Sequence, residues 1–426
     1  MSIRSSSIAA HKRARGKIEM LPRVRIETPA DLTMYYTPGV AYVAEAIAKR
    51  RELAYELTSK GNSVAIISDG TRLLGLGDVG AYAAITVMES KSVIYKRYAG
   101  IDAVPLCIET RDEDRIVDLC KNIEPSFGMI HLEDIESPKC FSIQDRLNEE
   151  LNIPVFHDDR HGTAVVAIAG VINSLKLAGK RMRDVKIVVN GTGAAGLGII
   201  ELLKTAGANR IYALDSRGLI YKGRQKGMNP FKVRISEYTN RDRVDGNVSD
   251  IIDDTDIFIS AVPSYKFERS NISRMADKPV VFALSNPDPE ISYKDAKRGG
   301  AFIAATGRSD CPNQINNMIC YPSIGRGLLD TRARSLNQNI LYTAAKQLAD
   351  TVADELSTDN IIPTIANNNP IDFMPDLAGA VGEATFMERL SRLKRVNRRS
   401  ITDETKRRIE RYTDIERMIV GKGRPD

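Results

Sequence analysis

Two aspartates and two histidines fall within the five positions of HDDRH, residues 157 to 161, between the apolar runs IPVF and TAVV. Carboxylates crowded this closely repel one another unless a proton or a cation intervenes, so the stretch reads as a candidate metal site. One form of that reading is zinc. His157 and His161 are four apart, as in the HExxH of zinc peptidases, with Asp158 where that motif has its glutamate. Against it, the pair follows an apolar strand directly instead of lying within a helix, and aspartate is shorter than the usual base. The other form begins at IHLEDI, where Glu133 and Asp134 end a second apolar run. Parallel strands ending at one sheet edge would bring these acids beside Asp158 and Asp159. Oxygen ligands of that kind suit Mg²⁺ or Mn²⁺ better than zinc. Surface acids without a ligand are the ordinary alternative for any such pair.

A second constellation is VKIVVNGTGAAGLGIIELLKTAGANRIYALDSRG: a strand, a turn through Gly191, Gly193, Ala194, Ala195 and Gly196, a helix, and a strand ending at Asp215. The glycines let the backbone turn tightly and approach a pyrophosphate. The helix N-terminus favours its charge, and an acid about twenty residues on can bind a ribose hydroxyl. Asp215 favours NAD, whereas Arg217, Lys222 and Arg224 just beyond it could attract the 2′-phosphate of NADP, so the pattern leaves NAD or NADP open. A third cluster holds Tyr36 in MYYTPGV, Arg72 in SDGTRLLGLGDVG and Lys91 in VMESKSVIY. Arginine can clasp a carboxylate bidentately, and a tyrosine with a lysine can shuttle protons. Singly, Tyr36 also reads as a helix-start contact and Lys91 as a solvated charge, and spacing does not choose.

The elements that must position these groups alternate between short apolar runs and amphipathic helices, the pattern of an α/β protein. VAIIS, GMIHL, IPVF, KIVVN, RIYAL, DIFIS and PVVFAL read as strands, and AYVAEAIAKR and EDRIVDLCKNI as helices. Thr37 and Pro38 are expected to open the first of these helices as N-cap and first helical residue. GTAVVAIAGVINSLKLAG reads as a buried helix joining two halves. A chain of 426 residues exceeds what one core usually supports. The division expected is a substrate and metal domain over 1–161, a Rossmann-type dinucleotide domain over 162–386 and a basic helical tail over 387–426.

Composition narrows the setting. With 42% hydrophobic and 27% charged residues the chain is an ordinary globular one, and no apolar run reaches the length expected to cross a bilayer. Five scattered cysteines without a CxxC pair argue against a disulfide framework and for a reducing, cytoplasmic setting. The net charge of +6 sits entirely in residues 388–426, which hold thirteen Lys and Arg against seven Asp and Glu. Interleaved signs with almost no aromatic interleaving read as a solvated helix, so neither a nucleic-acid nor a membrane partner is expected. The first eighteen residues contain no acid, as in a transit peptide.

YYTPGVA, LGLGDVGAYA, VMESK, YAGIDAVPLCIET, LEDI, VFHDDRHGTAVV, NGTGAAGLGI, DSRGLIYKGR, FALSNPDPEI and QINNMICYPSIGRGLLD, in this order over roughly residues 10 to 385, resemble the successive signatures of the short-chain prokaryotic malic enzymes. The resemblance implies oxidative decarboxylation of (S)-malate to pyruvate and CO₂ with NAD or NADP and Mg²⁺ or Mn²⁺, by a homodimer. Carried over by position, Glu133, Asp134 and Asp159 would ligate the metal, and Arg72, Asn286 and Asn317 would hold malate, with Asn286 also near the cofactor. Lys91 would take the C2 hydroxyl proton, supported by Asp158, and Tyr36 would protonate C3 of the enolate. HKRARGKIEM then resembles the family's basic N-terminal segment, and His157 and His161 become packing residues. Malolactic or folate-linked chemistry on the same arrangement, and a non-catalytic nucleotide sensor, are the alternatives. Arg160 in place of glutamine, Ser90 in place of glycine and YPSIGRG in place of FPGIFRG depart from the family pattern near the site.

Overall fold

The computed structural model describes residues 3–73, 76–263, 265–365 and 368–420. Its strands are β1 (Ser63–Ser68), β2 (Asp102–Cys107), β3 (Met129–Leu132), β4 (Val155–His157), β5 (Lys186–Asn190), β6 (Arg210–Asp215), β7 (Gly218–Leu219), β8 (Ile257–Ser260), β9 (Val280–Ala283) and β10 (Ile303–Thr306). They form two sheets, ordered β2-β1-β3-β4 and β10-β9-β8-β5-β6-β7, with every pairing parallel except β6 with β7. The continuous apolar runs of β1, β3, β5, β8 and β9 follow from burial on both faces, which crossover helices impose on parallel strands. The edge strand β2 lies outside the runs singled out above. It is half-buried and carries Pro105, which an edge tolerates but which erases the pattern.

Two expectations are corrected. Thr37 does not cap a helix: the helix Gly39–Lys49 has Pro38 as its N-cap and no side-chain cap bond. Residues 36–38 are instead a tight link from the helix Pro29–Tyr35, whose own cap is Thr28, in a reciprocal pair with Asp31. The bilayer test also comes out differently. The helical run Asp158–Ala178 is 21 residues long with mean hydropathy 1.3, enough to cross a membrane by length and composition, but 78% of it is buried inside the protein. HDDRH hid this in the sequence, because its charges belong to the same helical run. Gly170 lets the Phe282 ring of β9 approach closely, so the run is a core helix between the sheets.

One hydrophobic core takes in residues of both sheets, and a second covers the far face of β5, β6, β8 and β9. The last helices, Tyr321–Asp330, Pro370–Met387 and Arg398–Val420, return to pack on the helix Ala81–Ala99 beside the first sheet. The basic tail is therefore anchored: Ile401, Thr405 and Ile409 are buried, and Arg408 shares the side-chain oxygen of Asn62 with the buried Arg326.

Candidate active site

The pairing of β3 with β4 sets Leu132 opposite His157, so Glu133 and Asp158 leave the sheet at one edge. The helix Ala81–Ala99 crosses that edge and delivers Lys91 between them. Lys91 Nζ lies 3.0 Å from Glu133 Oε2 and makes a short ion pair with Asp158, with all three side chains nearly or wholly buried. Gly162 leaves the space that the second Asp158 oxygen fills. Burial drags the Lys91 ammonium down, but Asp158 and Glu133 overcome it and hold it well above its ordinary range. Burial pushes the Asp158 carboxyl up to about 6 against the pull of Lys91, and pushes Glu133 up as well, with Asp159 adding like-charge repulsion.

Donor oxygens of Glu133, Asp134 and Asp159 lie within 4.8 Å of one another. Asp134 holds its place with a left-handed φ of 54°, and its backbone N–H donates to Asp159 Oδ2 at 3.0 Å. Three carboxylates gathered at a buried strand end fit a hard divalent cation. The zinc arrangement does not assemble. His161 turns away to Gln144 at 2.9 Å, and burial holds its imidazole well below the ordinary range; His157 Nε2 stands 3.6 Å from Asp159.

Three residues near the site escaped the sequence reading. His131 joins Glu133 through Nε2 and the Tyr95 hydroxyl through Nδ1, both at 2.7 Å, while Lys91 Nζ sits 4.7 Å from the centroid of the Tyr321 ring. Burial pushes His131 down to about 3, so it is neutral and orients Glu133 without charge. Tyr95 was findable, since it is one helical turn from Lys91 on the same face. His131 lies two residues before Glu133 on one strand face. Tyr321 comes from a distant helix and opens YPSIGRG, the departure from the family pattern whose first residue bears a hydroxyl in place of phenylalanine. Two departures from the family pattern also acquire positions. Ser90 accepts a bond from Lys17 at 2.8 Å on the outer side of its helix. Arg160 is buried and donates to Gln144 at 2.8 Å and to both oxygens of Glu201 on the dinucleotide helix Ala194–Thr205.

At the second sheet, Gly191 has φ 108° and Gly196 sits against its carbonyl, where no side chain fits. Gly193 is open: a Cβ there would meet only Arg72 Nη1, at 4.0 Å. Ala194 starts the helix, followed by Ala195. Arg72 thus spans the two edges, its backbone N–H on the Asp134 carbonyl and its exposed guanidinium facing the glycine turn. Asn317 is half-buried against Gly162, and Asn286 lies exposed in the loop after β9, its amide packed on Gly307. Asp215 ends β6 and accepts bonds from the Arg217 N–H and from Arg224 and Lys232. Tyr36 is not brought to this group. It is 66% exposed, between two helices that bury no residue.

Models of two families match the chain: "Malic enzyme, N-terminal domain" over residues 15–148 and "Malic enzyme, NAD binding domain" over 161–381. The bifunctional malic/malolactic enzyme of Bacillus subtilis is 43% identical over 96% of this chain and 98% of its own length. The NAD-dependent malic enzyme of Geobacillus stearothermophilus is 45% identical over 88% of this chain and 78% of its own. Among solved structures, malic enzyme from Pyrococcus horikoshii superposes with a TM-score of 0.93 at 40% identity, covering 98% of each chain.

Proposed function

This chain belongs to the malic enzyme family, NAD(P)-dependent oxidoreductases that convert malate to pyruvate and CO₂, and from that premise we propose how its own residues carry the reaction. The observation that carries the proposal is Lys91, buried between Asp158 and Glu133 of the carboxylate cluster. Glu133, Asp134 and Asp159 would hold Mg²⁺ or Mn²⁺, which supplies Lewis acidity at the C2 oxygen of malate. Arg72, Asn286 and Asn317 orient the two carboxylates of the substrate. Lys91 accepts the C2 hydroxyl proton as hydride leaves C2, acting as the neutral amine once its own proton has passed to the Asp158 carboxylate it is paired with. The turn Gly191, Gly193, Ala194, Ala195 and Gly196 receives the pyrophosphate of the nicotinamide cofactor. After CO₂ departs, a tyrosine hydroxyl protonates C3.

That tyrosine is Tyr36, and its exposure supports a homodimer in which Tyr36 of the partner subunit completes each site. The helices Pro29–Tyr35 and Gly39–Lys49 present Leu32, Met34, Tyr35, Val40 and Tyr42 to the outside, a run of exposed apolar side chains of the kind that marks a contact surface. The substrate and metal groups up to residue 161, the dinucleotide unit over 162–386 and the tail from 387 are the division this reading uses. Unpaired cysteines at all five positions agree with a cytoplasmic setting.

The test is absorbance at 340 nm with malate, Mn²⁺ and each dinucleotide, with and without EDTA, and with the product identified. Pyruvate formed only with the metal present is expected; a folded protein giving no reduced cofactor sinks the reading. Lactate as product would favour the malolactic chemistry named for the Bacillus subtilis relative. Mixing Tyr36→Phe with Lys91→Ala chains, each inactive alone, should restore about a quarter of the activity, because half the dimers are mixed and each holds one intact site. No restoration would mean that Tyr36 acts within its own chain.

A further inference from the structure

The acid at the end of β6 is already fully engaged. Asp215 Oδ1 accepts from the Arg217 backbone N–H at 2.9 Å and from Arg224 Nη1 at 3.0 Å, while Oδ2 accepts from Arg224 Nη2 and from Lys232 Nζ at 2.6 Å. Four bonds saturate a carboxylate. A ribose diol that sought this acid would have to displace Arg224, which is itself held by the carbonyls of Gly218 and Leu219 and is only 7% exposed. The usual reason for an acid at this position, acceptance of the 2′-hydroxyl, therefore meets a group with no lone pair to spare.

The charge around it points the same way. One carboxylate faces two bonded cations, and a third lies beside them. The Arg217 side chain is exposed, lies across Gly227, and meets no acid among the described residues. Lys232 spends two of its three N–H bonds, on Asp215 and on the Gly227 carbonyl at 3.0 Å, leaving one for a ligand. Lys222, by contrast, is taken by Glu237 at 2.6 Å. A planar guanidinium and an ammonium, both with free donors at the end of the second Rossmann strand, suit a phosphate.

We infer that the adenosine ribose of the cofactor is recognised here through its 2′-phosphate, by Arg217 and Lys232, so that this chain takes NADP⁺ in preference to NAD⁺. Asp215 serves as the scaffold that positions the two cations, and does not itself contact the ribose. The inference rests on the dinucleotide reading of the glycine turn.

Calorimetric titration of the intact protein with NADP⁺ and with NAD⁺, in EDTA and without malate, reads binding apart from turnover. NADP⁺ is expected to bind at least about tenfold tighter, with a steeper loss of affinity as salt is raised. Arg217→Met should bring the two affinities within about threefold of each other while the melting temperature stays put, since the guanidinium has no protein partner to lose. NAD⁺ binding as tightly as NADP⁺, or a ratio that Arg217→Met does not move, overturns the inference and leaves the dinucleotide reading standing. Failure of both nucleotides to bind the folded protein overturns the two together.

Discussion

The first sheet ends in side chains and the second ends in backbone. At the edge of β3 and β4, five charged groups, Lys91, Glu133, Asp134, Asp158 and Asp159, crowd a space where burial opposes their charges. At the edge of β5, the working surface is a turn from which side chains have been removed, with Gly193 opening onto empty space. Chemistry on a small substrate needs groups that can change protonation or hold a cation. Binding a pyrophosphate needs only N–H groups and close approach. The two edges should therefore break in opposite ways: the first when a side chain is taken away, the second when one is added.

The largest effect belongs to the first edge. Lys91→Ala should lower turnover by about 10²–10⁴-fold, the usual range for a positioned acid–base group, with dinucleotide affinity unchanged. Stopped-flow absorbance at 340 nm alongside calorimetry separates the two quantities. A parallel loss of nucleotide affinity would show that the two edges are not independent.

A cation should bind at the first edge and suppress local opening there. Mn²⁺ at a hundred times its dissociation constant adds about 2.7 kcal/mol to the unfolding free energy. Hydrogen exchange should then slow over residues 129–134 and 155–162 and leave the turn at 190–196 unaffected. Asp159→Asn should abolish the melting shift. A shift that survives it would move the ion elsewhere, to His131, Glu133 and Asp158, the other group whose donor atoms converge among the described residues.

The glycines sharpen the contrast within the second edge. Gly196→Ala drives a methyl into the Gly191 carbonyl and should cost about 1–3 kcal/mol of stability. Gly193→Ala meets nothing nearer than Arg72 Nη1 at 4.0 Å, so the melting temperature should hold while dinucleotide affinity falls. If Gly193→Ala binds nucleotide normally, the turn is packing and not a cradle.

The same difference explains what could be read from the sequence. The glycine turn, its strand, its helix and Asp215 occupy one continuous stretch, so spacing alone carried the reading. The first edge is assembled from residues 91, 133, 134, 158 and 159 on separate elements. Apolar runs ending in acids suggested that the strands share an edge, and the register of β3 with β4 bears that out. YPSIGRG marked the neighbourhood of Tyr321 without giving its contact with Lys91, and nothing local announced the neutral His131 behind Glu133. Thr37 misled because the residues around it bridge two short helices instead of opening one. Tyr36 could be named by resemblance, but where it acts depends on a surface that one chain does not cover.

Arg160 joins the two edges, and its removal should give the smallest effect. It lies in the HDDRH turn yet reaches Glu201 on the dinucleotide helix with bonds of 2.6, 2.8 and 3.1 Å, and stacks over Phe141. Its backbone carbonyl also abuts Gly198, so turn and helix touch directly. Arg160→Gln removes a buried charged pair, but Glu201 keeps Arg234 at 3.2 Å and is not left alone. The cost should stay near 1 kcal/mol, well under the penalty for stranding a buried charge. Because the lost bonds orient the dinucleotide helix, the KM for the dinucleotide should rise a few-fold with kcat little changed. Glu201→Gln should do the same, and the double substitution should cost less than the sum, since both remove one interaction. Strict additivity would mean that Arg160 acts through Gln144 and Phe141 on its own side, and that the two edges are held in register by packing, at Gly198 and in the shared core, without this ion pair.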